Sequence, residues 1–368
     1  MGPTDVWNGV SIFGRGRTVW DTAGFQFLAV SLSSGTVLAE FPDLQVSKLS
    51  YRFEETTSET MVLPWRDIPS NWGEATIPYG VAILLVRGST VLWGGIVVKR
   101  ERILGGSGLS LTVATVEHYL DSVYVKDHSY SGWEQTWIAS DLVTSTIDGH
   151  RFMLDVETAS SGIHRDRTYE ESSDKTLLSA LQELSNVQDG PEWCTSWHVR
   201  DGKYVPLLTI ADRIGSVTPV TTFDESVMTS FKVLEDYTAG YGANMVVAVG
   251  DTTGETQLRS DVMVVDQSYR PVVEHVVRPS SSITRKETLN AHASSALQQL
   301  RDGTNTVDMT LSLMAAPIVY EEWKPGDVVA WTVSDDDGRF AGFDHSEARV
   351  VGYDIDFSGV WTITPVLQ

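Results

Sequence analysis

The stretch from Asp166 to Ile210, DRTYEESSDKTLLSALQELSNVQDGPEWCTSWHVRDGKYVPLLTI, leaves this chain the fewest local options. Leu177, Leu178, Leu181, Leu184 and Val187 recur at helical spacing and predict a helix with one apolar face. Ser173 or Asp174 can cap its start, because a side-chain oxygen there accepts a free backbone N–H. Asp189-Gly190-Pro191 is expected to end it, since Gly tolerates the left-handed cap and Pro cannot continue a helix. Trp193, Thr195, Trp197 and Val199 then alternate with Cys194, Ser196 and His198, which is the period of a strand. Asp201-Gly202 is a two-residue hairpin turn, and Tyr204 to Ile210 returns. A helix and a hairpin of this kind are expected to form the packing centre of a middle α/β region.

The flanks read as strands. Phe25 to Leu32 enters a Ser33-Ser34-Gly35 turn and Thr36 to Glu40 leaves it. Tyr79 to Arg87 and Thr90 to Val98 flank Gly88-Ser89, and Leu109, Leu111 and Val113 alternate with Ser110, Thr112 and Ala114. Many short strands between Gly and Ser turns argue for a barrel or sandwich. Ser131-Gly-Trp-Glu134 matches a capping box, and Trp133, Trp137, Ile138 and Leu142 follow on one helix-like face. After strands that include Asn244 to Gly250 and a turn at Asp251-Thr-Thr-Gly254, a further box, Thr284-Arg-Lys-Glu287, opens a second clear helix. Its stripe is Leu289, Ala293, Ala296, Leu297 and Leu300, and Gly303 closes it. Four strands within Thr304 to Gln368 complete the chain, with Trp323-Lys-Pro-Gly-Asp327 as the turn before the second.

At 368 residues the chain is expected to hold two to four domains. Its 42% hydrophobic and 21% charged residues are those of a folded protein. The longest apolar run, Val81 to Val86, is far too short for a membrane-spanning helix. Met1 to Val10 lacks the basic start and apolar core of a secretory signal. A single cysteine, Cys194, permits no intrachain disulfide and favours folding in a reducing cytoplasm. Lys+Arg 27 against Asp+Glu 49 gives a net charge of -22. Such a surface repels nucleic acid but suits a passage that nucleic acid must traverse without sticking. A plain solubility role explains the same charge.

Motifs for chemistry are scarce. The eight histidines show no H-x-H or H-x-x-x-H pair, so no metal site is expected, and no cofactor-binding fingerprint occurs. Gly14-Arg-Gly16-Arg is too short for a dinucleotide loop and reads as an arm. The adjacent acids Glu54-Glu55, Glu170-Glu171 and Glu321-Glu322 point apart on turns, unlike the facing carboxylates of a glycosidase. Asp335-Asp336-Asp337-Gly338 lacks the spaced ligands of a calcium loop and reads as a hairpin tip. The twelve tryptophans could stack sugars, but cores and interfaces explain them better. From Tyr320 to Phe357 ten acids face only Lys324, Arg339 and Arg349. Asp354 and Asp356 alternate there with Ile355 and Phe357, giving one anionic strand face. Asp335, Asp336, Asp337, Asp354 and Asp356 are therefore the candidate acidic strip, either a solvated surface or a channel lining; no catalytic residue is named.

Several stretches resemble the tail-hub (baseplate-hub) proteins of tailed bacteriophages, especially those known as minor tail proteins of actinobacterial phages. They are Leu44 to Trp65, Val91-Leu-Trp-Gly-Gly-Ile96, Arg165-Asp-Arg-Thr-Tyr169 with the Leu-rich helix and Glu192-Trp193, Trp323-Lys-Pro-Gly-Asp327, and Arg349-Val-Val-Gly-Tyr353. Their order carries the resemblance across nearly the whole chain. The resemblance implies a mainly β fold with α/β modules: two β-barrel domains plus intervening α/β domains, with barrel strands drawn from separated segments. The related type VI secretion spike proteins share this plan. The expected divisions are 1–125 as an N-terminal β-barrel, 126–212 as an α/β module, 213–283 as a β-rich connecting segment contributing to barrels, and 284–368 as a helix followed by C-terminal barrel strands.

Implied with that fold is a structural virion protein, a trimeric hub at the tail tip that is assembled in the host cytoplasm. Its partners would be the tail tube protein, the distal tail protein, the tape-measure protein and tip or fibre proteins, with phage DNA only in transit and no stable membrane insertion. No cofactor is implied. Longer relatives carry a C-terminal hydrolase or receptor-binding extension, and none is expected after Gln368. The alternative from the residues is a carbohydrate-binding or cell-wall-degrading tail-tip enzyme.

Overall fold

The computed structural model describes residues 24–187, 189–250, 257–279 and 285–368. The Gly14-Arg-Gly16-Arg arm, the Asp251-to-Gly254 turn and Thr284 of the last capping box lie outside them. Of the described residues, those up to Thr229, with Thr310–Asp336 and Asp344–Gln368, form one compact unit; Ser230–Met309 with Asp337–Phe343 forms a second.

The first unit opens with β1 (Phe25–Ser31), β2 (Val37–Glu40), β3 (Lys48–Arg52) and β4 (Ser58–Pro64), then the short helix α1 (Trp72–Ala75), β5 (Val81–Arg87), β6 (Thr90–Glu101) and β7 (Gly108–Ala114). All but β3 join one antiparallel sheet ordered β2-β1-β5-β6-β7-β4. The turns expected at Gly35 and Gly88 are present, and Leu109, Leu111 and Val113 are buried as their alternation requires. The continuous apolar run of β5 is buried along both faces, which is why it shows no alternation.

The chain continues through α2 (Glu117–Leu120), β8 (His128–Glu134), α3 (Gln135–Ile147), β9 (Asp155–Thr158), β10 (His164–Tyr169), α4 (Leu177–Ser185), β11 (Glu192–Arg200) and β12 (Lys203–Ala211). The predicted hairpin is β11–β12, with Arg200 opposite Lys203 and both Asp201 and Gly202 at positive φ. Strand β9 adds to β12 in parallel, while β8 and β10 pair separately. Leu177, Leu181 and Leu184 of α4 and Ile138 and Leu142 of α3 pack with Trp193, Leu208 and Ile210 on one face of the β11-β12-β9 sheet. At roughly 1.5–3 kcal/mol per buried large apolar side chain, this cluster dominates the local energetics. The opening stretch is indeed the packing centre of an α/β region.

The helix caps differ from the sequence expectation. Thr176, not Ser173 or Asp174, caps α4: its Oγ1 accepts the Ser179 N–H at 3.2 Å. Asp174 is used instead in the left-handed region, at φ 47, to end a one-turn 3-10 segment. The helix also stops at Ser185, so Val187 is outside it. Glu134, not Ser131, caps α3, accepting from the Trp137 N–H at 3.0 Å. Ser131 is held in β8, whose ladder runs through Glu134. Trp137 then points away from Ile138 and Leu142 and is 55% exposed.

Strands β13 (Pro219–Asp224) and β14 (Met228–Asp236) follow. The second unit contains β15 (Met245–Ala248), β16 (Met263–Val264), β17 (Glu274–Val277) and α5 (Lys286–Leu300). Leu289, Ala293 and Leu297 of α5 bury against Val246 and Ala248, as the predicted stripe requires. The chain ends through β18 (Thr304–Ser312), β19 (Val328–Thr332), β20 (His345–Asp356) and β21 (Thr362–Leu367).

The last large sheet is ordered β13-β19-β20-β21-β18-β14, with β3 also paired to β20. Its two end strands are consecutive in sequence, joined only by Glu225–Val227. Five inter-strand steps of about 4.8 Å would hold the ends of a flat sheet roughly 24 Å apart. The four steps from Asp224 to Met228 reach about 14 Å, so the sheet must curl until its ends approach. Ring packing ties it to the first sheet: Phe25 and Phe27 of β1 meet Trp361 and Phe357 edge-on at 5.7 and 6.5 Å. Tyr353 donates from its hydroxyl to the Leu92 carbonyl at 2.5 Å, and Trp93 Nε1 donates to the Ser50 carbonyl at 2.9 Å.

Candidate functional site

The five acids of the predicted strip fall into distinct settings. On β20, Asp354 and Asp356 are half-buried on one face while Ile355 and Phe357 are buried on the other, as the alternation predicted. Arg52 Nη2 sits 2.9 Å from both carboxylate oxygens of Asp354, and Lys48 Nζ lies 3.1 Å away. Burial opposes the charge on Asp354, but the hydrogen bonds from Arg52 and Lys48 outweigh it and hold the carboxyl below the ordinary aspartate range. Asp356 closes the next turn, accepting from the Ser358 N–H at 2.7 Å and its hydroxyl at 2.5 Å. Asp335 and Asp336 stand in the loop after β19, and Asp337, in the second unit, pairs with Arg339 at 2.6 Å.

The adjacent acid pairs separate into structural roles. Lys126 donates to Glu171 at 2.5 Å on the surface. Glu54 accepts from the Trp193 N–H at 3.2 Å, and burial raises its carboxyl above the ordinary range. Glu321 accepts from the Thr90 hydroxyl and Glu322 from the Ile318 N–H at 2.8 Å. His198 finds a carboxylate partner that its sequence neighbourhood did not reveal, with Nε2 2.7 Å from Asp155 Oδ2. Among the described residues no group of three or more His, Cys, Asp or Glu side chains could hold a metal ion.

A cavity of about 400 Å³ opens over the sheet face opposite the helices. Cys194, Ser196, His198, Leu207, Thr209 and Glu157 line it from β11, β12 and β9. Alternation had placed Cys194, Ser196 and His198 on one face; the rest came from chain segments far apart. Thr90, Tyr320 and Lys324 form part of the rim. Tyr320 holds φ 66, a left-handed conformation unfavourable for a bulky residue, and also lines a water-sized cavity of about 10 Å³ behind it. Burial pushes the Cys194 thiol up to about 12 and leaves it a poor nucleophile.

Thr195, which lines the small cavity, meets a fully buried acid. Glu117 Oε1 accepts from the Thr195 hydroxyl at 2.5 Å, and Oε2 has no hydrogen-bond partner. Burial, opposed by the Thr195 hydrogen bond, raises its carboxyl above the ordinary glutamate range. Tyr51 is beside it, its oxygen accepting the Thr195 N–H at 3.1 Å and its ring stacked on Tyr353 at 5.7 Å. These groups are buried and join β3, α2, β11 and β20.

No family model matches the chain, and no curated protein matches it in sequence. Solved structures do. A tail protein from Neisseria meningitidis MC58 is similar at 14% identity, covering 94% of this chain and 97% of that one, with a TM-score of 0.56. The 43 kDa tail protein of prophage MuSo2 from Shewanella oneidensis is similar at 13% identity over 93% and 98%, TM-score 0.56. A chain of the lidded Francisella PdpA–VgrG complex is similar at 9% identity, TM-score 0.53; the match spans 93% of this chain and 52% of that chain. At such identities the likeness is one of fold. The protein has the fold of phage tail proteins, mainly β with α/β modules and tail-hub-like in architecture.

Proposed function

We propose that the protein is a structural virion component, a trimeric hub at the distal end of a phage tail, and not an enzyme. The observation that carries this reading is the likeness to two tail proteins over more than nine-tenths of each chain. In this role it links the tail tube and distal tail proteins to tip or fibre proteins, and surrounds a passage for the tape-measure protein and DNA. The divisions 1–125, 126–212, 213–283 and 284–368 are its proposed working parts, the first and last contributing barrels. A net charge of -22 supports the passage, since DNA gains no counterion-release affinity from such a surface. Asp335, Asp336, Asp337, Asp354 and Asp356 are proposed as part of its anionic surface. Assembly in the host cytoplasm suits a chain with one cysteine.

Mass photometry with negative-stain imaging tests the reading. The expected particle is three times the 40.5 kDa chain mass with a central opening, either alone or after addition of the distal tail protein. A monomer under both conditions would sink it.

A further inference from the structure

The cavity over the β11-β12-β9 sheet is not absorbed by a scaffolding role. Its floor mixes Ser196, Thr209, His198 and Glu157 with Cys194 and Leu207, where a buried sheet face would be apolar throughout. Asp155 holds one ring nitrogen of His198 at 2.7 Å and so fixes how the other is presented. The other sheet face carries the helix-packed core, and on this one Cys194, Ala211 and Ile214 form a separate small buried cluster beside the polar groups. Tyr320 closes one wall in a backbone conformation that costs free energy, which points to a wall whose position matters.

The lining also selects a ligand class. Both an acidic group, Glu157, and a basic one, Lys324, reach the cavity, so neither sign of charge is favoured locally. The net charge of -22 disfavours anions at longer range. Hydroxyls, a carboxylate, an imidazole and aliphatic ring-facing groups such as Leu207 and Ile214 suit a neutral polyhydroxylated molecule. A volume of about 400 Å³ falls in the range of small-molecule sites and admits one or two sugar rings. We propose that this cavity is a binding site for a short neutral saccharide, held by Ser196, Thr209, His198 and Glu157 and walled by Tyr320. The proposal does not rest on the hub reading.

The test is methyl NMR of the full chain, following Val91, Leu207 and Ile214, which line the cavity. Cellobiose, maltose, N,N′-diacetylchitobiose and a capped tetraalanine peptide are titrated separately. The expected result is that at least one disaccharide shifts these methyls with millimolar affinity, and that Thr209→Val weakens it about fivefold, the loss of roughly one hydrogen bond. Tyr320→Ala, which removes the wall together with its edge-on contact to Tyr353 at 6.2 Å, is expected to weaken it as well, with the fold of both variants verified by an unchanged methyl spectrum away from the cavity. Saccharide shifts confined to methyls outside the cavity, shifts from the peptide alone, or no shift with any disaccharide would overturn the proposal.

Discussion

Arg349 on β20 and Glu192 on β11 meet through a two-pronged ion pair, Nη1 to Oε1 at 2.6 Å and Nη2 to Oε2 at 2.5 Å. The same guanidinium donates to the Gly326 and Ile214 carbonyls at 3.1 and 3.0 Å and lies over the Phe53 ring at 5.6 Å. One planar fork therefore joins the curled sheet, the α/β region and the turn before β19. Lysine is a single charged point and cannot reproduce it. Arg349→Lys is expected to lose about 2 kcal/mol, close to the loss in Arg349→Ala. Urea unfolding measures both, and a lysine variant as stable as the native chain would contradict the account.

Glu117 sets a pH dependence on the alkaline side. Its folded carboxyl is raised by burial, so the neutral acid is the form the fold prefers. The associated stability is complete below the ordinary glutamate range and falls as pH rises through the raised value. Glu117→Gln keeps an acceptor for the Thr195 hydroxyl without the charge. It is expected to match the native chain near pH 4 and to be the more stable of the two near pH 8. Parallel stability curves for the two proteins between these limits would refute this.

Asp354 works in the opposite direction. Its carboxyl is held low by Arg52 and Lys48 against the cost of burial. Its contribution is present above the ordinary aspartate range and disappears as pH falls through the lowered value. Asp354→Asn should cost about 1–2 kcal/mol near pH 7 and much less near pH 2. Equal losses at both pH values would show that packing, not charge, is what Asp354 supplies.

Cys194 should be chemically quiet. With its thiol pushed up to about 12 by burial, the thiolate fraction at neutral pH falls by about a thousandfold from that of a free cysteine. Reaction with dithionitrobenzoate is expected to be at least about a hundredfold slower in the folded protein than in denaturant. Comparable rates in the two states would show that the β11 face opens freely.

Gly326 and Gly215 make a backbone contact that only glycines allow. A Cβ on Gly215 would lie 2.1 Å from the Gly326 carbonyl carbon, and both residues hold positive φ. Asp327, buried beside them, accepts from the Ser216 N–H at 2.8 Å and the Lys324 N–H at 3.0 Å. Gly215→Ala should therefore lower the melting temperature by several degrees, corresponding to a loss of about 2 kcal/mol or more. An unchanged melting curve would mean the two loops can separate at no cost.

Local patterns in the sequence determined the elements. Leucine spacing set α4, alternation with Asp201-Gly202 set the β11–β12 hairpin, and the stripe from Leu289 to Leu297 set α5. These signals depend on neighbours within one or two turns, which the chain itself carries. The helix caps were less legible, because Ser, Thr, Asp and Glu can all accept a terminal N–H and the surrounding backbone chooses among them. Thr176 and Glu134 were selected by the 3-10 turn and the β8 ladder before them. Only the tertiary structure paired β3 with β20, placed Asp155 against His198, and brought Thr90, Tyr320 and Lys324 to one cavity. Such contacts join segments that are tens to hundreds of residues apart, and the free energy that forms them comes from burying shared surface. No pattern within a single segment records which distant partner completes it.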